Sequence, residues 1–546
     1  MKKNDIVKGT CVSYTYQGFG VVKVDGFPLF VKNLILGEEA EIIVTMVKKQ
    51  FGYGRVKQLL TRSEDRVEPL CPLAGKCGGC QIQHMSRKHQ AFFKKEQVES
   101  VMRRIAHIDT EVSDVLMMEN GWNYRNKAQV PFQLQNDRVV CGFYRLHSNE
   151  SVDMNECMIQ HPVMNRVLQI VKGYLSQKHS VGNLRHLLIK YARSSDEIMV
   201  VFITSDANGM DWEPLVQLLC EKVPQVKSVM LNINQRGDNV ILGEEEILLY
   251  GQPYISDRIF DLSFRIAMKS FYQVNPQQTE VLYRTVMQYA QLSGSETVLD
   301  CYCGVGTIGL CLAKQAKQVI GIEIIPEAIE NAKENAKRNH IENAQFICAD
   351  AKAYAKKLSD HKQKIDVVIV DPPRKGCDEQ VLESIASMAP QRIVYVSCDV
   401  ATQARDIERL KRYGYHAAAV QPVDMFPQTQ HVETIVCLSH KSPESVINVK
   451  VDFGEGEGKV PLDTIAERAK KYQPKPKITY KMIQEYVKKK YGFKVHTAYI
   501  AEVKRSLGLT MYGAPNAVEE LKHPRKRPPK EKIEAITDAL RYFEVI

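Results

Sequence analysis

The sequence predicts a multidomain chain: a small N-terminal β-barrel, an α+β central domain, a doubly wound α/β domain on a parallel sheet, and a small, mainly helical C-terminal module. Three observations carry this. The 546 residues exceed what one hydrophobic core organises. Between residues 297 and 396, apolar strand-like runs alternate with helical stretches, the pattern of a parallel sheet covered on both faces. After Leu438 the composition shifts, and Gly454-Glu455-Gly456-Glu457-Gly458-Lys459 reads as a flexible junction. The expected boundaries are 1–62, 63–265, 266–440 and 441–546.

The first of these segments holds closely spaced strand signals: 18–24 and 52–56 with their glycines, and Ala40-Glu41-Ile42-Ile43-Val44 between them. Strands this short and close suggest an OB-like or SH3-like barrel. Tyr14, Tyr16, Phe19, Lys48, Lys49, Phe51, Tyr53 and Arg55 would suit a surface that stacks bases and tracks phosphates, or the rings would simply fill the core. A cysteine-bearing loop from Cys71 to Cys80 leads to an expected helix over His89 to Ile105. Strand signals at 129–132, 138–144 and 197–203, with helices between, define the central domain.

The α/β region has strands expected at 297–300, 318–323, 344–347, 365–370 and 392–396. In the C-terminal module, Ile478, Met482, Ile483, Tyr486 and Val487 mark one helical face ending near Gly492, and Ile533, Ile536, Leu540 and Phe543 mark another. Between them, His523-Pro524-Arg525-Lys526-Arg527-Pro528-Pro529-Lys530 is basic and proline-broken, hence extended: a phosphate contact or a solvated linker.

The chain carries 74 Lys and Arg against 64 Asp and Glu, a net charge of +10. That balance favours a polyanionic partner, though it also serves solubility. No signal-peptide core and no bilayer-length apolar run is evident, so a cytoplasmic chain without membrane contact is expected. Fourteen cysteines in such a chain point to ligation, catalysis and packing rather than disulfides.

The segment from Asp300 to Gly309 (Asp-Cys-Tyr-Cys-Gly-Val-Gly-Thr-Ile-Gly) follows a strand and opens a helix, where glycines let a ligand approach the backbone. Glu323 ends the next strand, where an acid accepts hydrogen bonds from ribose hydroxyls. Gly304, Gly306 and Gly309 do not exclude a dinucleotide. The following motif favours a methyl donor: Asp371-Pro372-Pro373-Arg374 sits at a strand's carboxyl edge, and methyltransferases acting on planar nitrogenous rings commonly carry an acid and Pro-Pro there. Its bland reading is a rigid strand stop. Cys398, between Ser397 and Asp399 at another strand exit, reads as a nucleophile rather than a buried packing thiol. Cys71-x5-Cys77-x2-Cys80 offers three thiolates in a glycine-rich loop, and ligand chemistry allows zinc or an iron–sulfur cluster.

Phe271-Tyr272-Gln273-Val274-Asn275-Pro276, the 300–309 loop, Asp371 to Gly376, Val396-Ser397-Cys398-Asp399, Ala404-Arg405-Asp406 and His431-Val432-Glu433-Thr434 occur in an order and spacing that resemble the RNA uracil-5-methyltransferases. The similarity is greatest to the iron–sulfur branch that modifies 23S ribosomal RNA, and it runs from about residue 5 to residue 438. It implies a TRAM-type RNA-binding barrel and a class I methyltransferase domain. It assigns Cys398 as the thiol that adds to C6 of uracil and Glu433 as the base that removes the C5 proton, with His431 a weaker base candidate that would instead orient or bind RNA. It places Gln273, Tyr302, Glu323 and Asp371 around S-adenosylmethionine, with Thr307, where some relatives carry asparagine, and Asp350 as further matches. Phe271 is implied to pack on the target base, or is a core ring.

Cys157 is implied as the distant fourth ligand that, with Cys71, Cys77 and Cys80, holds a structural [4Fe-4S] cluster. Radical chemistry is disfavoured, since radical S-adenosylmethionine enzymes use a tighter Cys-x3-Cys-x2-Cys loop. The expected partner is ribosomal RNA, with no DNA, and the chain is expected to be a monomer. Competing expectations are 5-methyluridine formation in transfer RNA, whose enzymes generally lack the barrel and cysteine set, methylation of an exocyclic amine, and a non-catalytic RNA-binding or redox-sensing role.

Overall fold

The computed structural model describes residues 1–440 other than 147, 209 and 239, together with 480–507 and 528–542. The chain divides into two compact units, Met1–Pro443 and Glu444–Ile546. In the first, β1 (Ile6–Tyr14), β2 (Gly20–Val24), β3 (Phe27–Lys32), β4 (Glu39–Val47) and β5 (Gly52–Leu59) close into a barrel of order β1-β2-β3-β5-β4. Side chains alternate across each strand, so Val22, Leu29, Val31, Ile42 and Val44 point inward and are fully buried. Buried Glu38 accepts from Arg66 Nε and Nη2, both at 2.6 Å, which compensates its charge and ties the barrel to the following loop.

The barrel's rings divide between core and surface. Phe19 is buried, and Tyr14 turns inward, its hydroxyl 2.6 Å from His89 Nε2. Phe30 and Phe51 stack at 5.1 Å, with Tyr53 edge-on and Lys48 Nζ 5.3 Å over Phe51.

Helix α1 (Arg87–Val101) begins where the Ser86 hydroxyl accepts from the His89 amide. The single helix expected to Ile105 gives way to a π-helical turn, Met102–Ala106, closed by His107 in the left-handed region at φ 48°. The central domain follows with β6 (Lys127–Gln135), β7 (Arg138–Cys141), α2 (Pro162–Gln177), β8 (Leu184–Ala192), β9 (Glu197–Thr204), α3 (Glu213–Lys222), β10 (Val226–Ile233) and β11 (Glu245–Gly251). Its six-stranded sheet runs β11-β10-β9-β8-β6-β7, and a hairpin of β12 (Tyr254–Ile259) and β13 (Leu262–Ala267) leads onward.

The α/β domain comprises α4 (Pro276–Ala290), β14 (Thr297–Cys301), α5 (Thr307–Ala313), β15 (Gln318–Glu323), α6 (Pro326–Arg338), β16 (Ala344–Cys348), α7 (Ala351–Asp360), β17 (Val367–Val370), α8 (Glu379–Ser387), β18 (Arg392–Ser397), α9 (Val400–Lys411), β19 (His416–Val423) and β20 (Glu433–Ser439). Its sheet has the order β16-β15-β14-β17-β18-β20-β19. The five strands expected from the alternation, β14 to β18, are parallel to one another, and two further strands extend the sheet. β20 is antiparallel to both β18 and β19, because the chain turns back after β19 and slots its last strand between them. Val367 to Val370 and Ile393 to Val396 are fully buried, as strands covered on both faces require.

The segment 424–432, which joins β19 to β20, is tethered from several sides. Asp424, fully buried, accepts from Lys94 and Arg87 of α1. Gln90 Nε2 donates to Gln428 Oε1 at 2.9 Å, Tyr124 Oη donates to the Pro427 carbonyl at 3.0 Å, and Asn275 Nδ2 donates to the Met425 carbonyl at 3.1 Å. From the cysteine loop, the Ile82 amide donates to the Gln428 carbonyl at 3.2 Å, and Gln81 Oε1 accepts from the Gln430 amide at 3.3 Å.

In the second unit, helices Tyr480–Tyr491, Thr497–Ser506 and Lys530–Tyr542 bury Ile483, Val487, Val495, Ile500, Val503, Ile536 and Leu540 in one core. Gly492 ends the first helix at φ 79°. The middle helix lacked a distinct signal. Ile533 is 37 % exposed rather than part of the expected face. Ile478, the junction at 454–459, residues 523–527 and Phe543 lie outside the described residues. No described helix is long and apolar enough to cross a membrane.

Removing one partner of a fully buried ion pair strands the other charge, so Lys94→Met should destabilise the first unit by about 3 kcal/mol, read as a lower urea midpoint. An unchanged midpoint would show that Arg87 alone compensates Asp424.

Candidate active site

The site assembles along the edge where β14, β15, β17 and β18 end and β20 begins. Val370 pairs with Cys301 on one side and Tyr395 on the other, so the residues that follow β14, β17 and β18 emerge together. Reversal of β20 brings its first residue to the same edge. Ser397 is opposite Thr434, and the next pair outward in that register is Cys398 and Glu433.

The Cys398 thiol senses the charge of the Glu433 carboxyl. Burial pushes the Cys398 thiol up to about 11, and Glu433 adds to the rise, while the positive charge of Arg374 opposes it. Burial raises Glu433 well above the ordinary carboxylate range, with Asp371 reinforcing and Arg374 opposing. Half-buried Asp371 is raised to about 7 by desolvation. His431 is pushed down to about 4 by burial and by Arg374, and so is a neutral imidazole near pH 7.

The glycine loop lies beside this edge. Gly306 has φ 81°, and a Cβ there would meet Phe346 Cζ at 2.8 Å, so the loop needs glycine at this point. From beneath, Asp300 Oδ2 accepts from the Gly309 amide at 2.9 Å. Its other oxygen is buried without a hydrogen-bond partner, and burial with the nearby Asp371 raises its carboxyl to about 8. Glu323 Oε1 accepts from the amides of Ile324 and Ile325, at 2.8 and 3.0 Å, and Oε2 from Gly304 at 3.3 Å. These amides fix the carboxylate at the strand end with acceptor capacity left over.

Of the other sequence candidates, Tyr302 follows β14 in the left-handed region at φ 64°. Gln273 is buried, its carbonyl accepting from Asn126 Nδ2 at 3.1 Å. Thr307 Oγ1 is 2.7 Å from Tyr283 Oη, which engages it within the fold. Asp350 is exposed and caps α7, Oδ1 accepting from the Ala353 amide at 3.0 Å. Phe271 is 65 % exposed, so it is not a core ring. Arg374 and Asp300 were quoted only as parts of motifs. Their roles depend on neighbours brought by other strands, although Arg374's place beside an acid at a strand end was a usable signal.

The cysteines of the N-terminal loop share a neighbourhood with Cys157. Cys80 is raised to about 12 by burial and by the charges of Cys157, Cys77 and Cys71. Cys157 is raised to about 11 by burial, Cys77 and Cys71. The loop packs on the central domain, where the Gly78 amide donates to the Tyr144 carbonyl at 2.9 Å. Among the described residues, no three His, Cys, Asp or Glu side chains converge closely enough to hold a single metal ion.

Comparison with known proteins agrees over most of the chain. An uncharacterized RNA methyltransferase of Halalkalibacterium halodurans is 45% identical over 452 residues, covering 81% of this chain and 98% of that protein. One from Bacillus cereus is 45% identical over 449 residues, covering 80% and 97%. The crystal structure of Pyrococcus abyssi tRNA (uracil-54, C5)-methyltransferase in complex with S-adenosyl-L-homocysteine matches with a TM-score of 0.63 and 28% identity, covering 79% of this chain and 99% of that one. The family model for tRNA (uracil-5-)-methyltransferase matches residues 87–441, well over half of the chain. On the strength of that match and of the relatives, the chain belongs to the tRNA (uracil-5-)-methyltransferase family.

Proposed function

We propose that the chain methylates C5 of a uridine in ribosomal RNA, taking the methyl group from S-adenosylmethionine and passing through a covalent bond between Cys398 and C6. The observation that carries this is that Cys398 and Glu433 flank Ser397 and Thr434, the last pair of the β18–β20 ladder, and that the thiol senses the Glu433 charge. A thiol and a carboxyl side by side suit a reaction that must activate C5 and then strip its proton. Methylating an exocyclic amine has no use for the thiol.

The pocket's charge supports the donor. Buried Asp300 and Glu433 and half-buried Asp371 are carboxyls with raised affinities for protons, and Asp300 has an unpartnered oxygen. S-adenosylmethionine carries an ammonium and a sulfonium, and positive charge beside such groups favours their ionised forms. Glu323 would take the ribose hydroxyls, and Tyr302, Gln273 and Asp371 would line the donor, which supplies an electrophilic methyl group. Thr307 and Asp350 would contribute at the margins.

The chemistry balances as follows. Cys398 gives its proton to solvent water and its sulfur adds to C6, moving the C5–C6 π electrons toward C5 and O4. C5 attacks the methyl carbon, whose bond to sulfur breaks and leaves S-adenosylhomocysteine. Glu433, as carboxylate, takes the C5 proton, the C5–C6 double bond re-forms, and the thiolate leaves. The charge of Arg374 favours the sulfur's anion. The base must leave its stack for C6 to be reached.

The ribosomal reading rests on the resemblance to the iron–sulfur branch. A second reading, transfer RNA, draws on the archaeal tRNA enzyme, whose match extends over more of this chain than the central and α/β domains alone provide. For Cys71, Cys77, Cys80 and Cys157 we propose a structural [4Fe-4S] cluster. The electrostatic influence among the thiols supports one shared site, and the resemblance to the iron–sulfur branch favours the cluster over zinc.

Cells lacking the protein should lose one or more 5-methyluridines from ribosomal RNA, mapped by mass spectrometry of fragments. The wild-type chain should restore them and Cys398→Ala should not. Loss confined to transfer RNA would select the second reading, and intact levels in both would remove the proposal. In vitro, Glu433→Gln should accumulate a denaturant-resistant protein–RNA adduct carrying the new methyl group, because elimination waits on the C5 proton.

The kcat/KM for RNA should rise about tenfold per pH unit between 7 and 9, because the fraction of thiolate grows toward a Cys398 pKa of about 11. Arg374→Gln should displace that profile about one unit to the alkaline side; a profile flat in both proteins would place the rate-limiting proton elsewhere. Anaerobically purified chain should contain about four iron and four sulfide. Cys80→Ser should lose them, whereas stoichiometric zinc in the wild type would replace this assignment.

A further inference from the structure

The second unit lies beyond the family match, which ends at residue 441, and its charge differs from that of the first. Residues 444–546 carry 21 Lys and Arg against 14 Asp and Glu, so they hold seven of the chain's ten net positive charges. The first unit is therefore close to neutral for its size.

Part of that charge is organised on a ring-rich surface. Lys488, Lys489 and Lys490 close helix Tyr480–Tyr491, and Lys494 follows in the next turn; all four are exposed. Tyr491, 40 % exposed, and Phe493 sit between them, their rings 6.1 Å apart. Lys490 Nζ lies 5.3 Å over Tyr486 and 5.6 Å over Tyr491, and Lys532 Nζ lies 6.0 Å over Phe493 and 5.5 Å over Tyr499. Asp538 fixes the cluster, accepting from Lys490 Nζ at 2.8 Å, Tyr491 Oη at 2.9 Å and Tyr486 Oη at 3.0 Å. Among the described residues, Lys488, Lys489 and Lys494 form no ion pair.

Three lysines in a last helical turn also stabilise the helix through its dipole, which is a sufficient reason for Lys488 to Lys490 alone. It does not account for Lys494 and Lys532, which lie off that turn, nor for the rings placed among the cations. Cations that meet phosphates, interleaved with aromatic faces that accept any base, are how proteins hold single-stranded or looped nucleic acid without reading its sequence.

We infer that the C-terminal unit is an RNA-binding module that grips the substrate RNA through Lys488, Lys489, Lys494 and the Tyr491–Phe493 rings. This rests on the reading of the first unit as an RNA methyltransferase. Tethered to the catalytic unit, the module raises the local concentration of RNA at the active site. It therefore acts on KM for RNA and leaves kcat alone.

The test uses the full-length chain and a fluorescein-labelled hairpin RNA with a uridine-containing loop. The triple variant Lys488→Ala/Lys489→Ala/Lys494→Ala should bind about tenfold more weakly at low salt, and the slope of log affinity against log salt should fall in magnitude by about two. The matching Lys→Arg triple variant should bind as the wild type does. With RNA that the enzyme methylates, KM should rise in proportion while kcat is unchanged. Unaltered affinity and slope in the alanine variant would overturn the inference, as would an equal loss in both variants or a lysine dependence seen only with an acidic peptide or anionic vesicles. If the hairpin binds as expected but no uridine is methylated in any RNA, the reading of the first unit fails while the grip of the second stands.

Discussion

The edge between β18 and β20 sets the terms for the rest of the catalytic unit. Asp300, Asp371, Glu433 and Cys398 crowd there in surroundings that disfavour charge, with Arg374 as a facing cation. Charge in such a place persists only when it is compensated. The resting site therefore keeps its protons, and the thiol is inert. In the proposed reaction, a donor that brings positive charge shifts these equilibria toward thiolate and carboxylate, so donor arrival and activation become one event.

A pair of groups this sensitive to position needs rigid support, and the fold supplies it to Glu433 from one side of the strand. The residues before it, 424–432, are held by a buried ion pair from α1, by Gln90 and Tyr124, and by the cap of α4. Gln81 and Ile82, immediately after Cys80, bond the same segment. The cysteine loop therefore bears on the segment that leads into the strand beginning with Glu433. On the other side, Cys398 directly follows β18, and the residue after it, Asp399, caps α9 through the amides of Ala401 and Thr402.

In the proposed function, chemistry and grip fall to different parts of the chain. The catalytic edge is nearly charge-neutral at rest, while the cations interleaved with rings lie on the barrel, at Lys48 with Phe30, Phe51 and Tyr53, and on the C-terminal helices. Such a division lets affinity for a polyanion be adjusted without disturbing the proton affinities that the reaction depends on, since exposed charges are screened beyond about 10 Å.

Contiguous residues determined much of this molecule. The glycine loop, the acid-Pro-Pro turn and Ser397-Cys398-Asp399 were readable because each is a strand end followed by a helix start, and that transition is written in a few neighbouring residues. The barrel strands and the parallel order from β14 to β18 followed from spacing and alternation for the same reason. Tertiary structure decided what no local pattern encodes. The reversed β20 brings Glu433 to the edge where Cys398 emerges, Lys94 meets Asp424 across 330 residues, and Asp300 supports Gly309 from below. It also divided the barrel's rings between core and surface and ended α1 in a π turn four residues short of Ile105. These outcomes arise from contacts between segments that meet only after folding, where burial and the charges of distant neighbours, not the residue's own identity, fix its role.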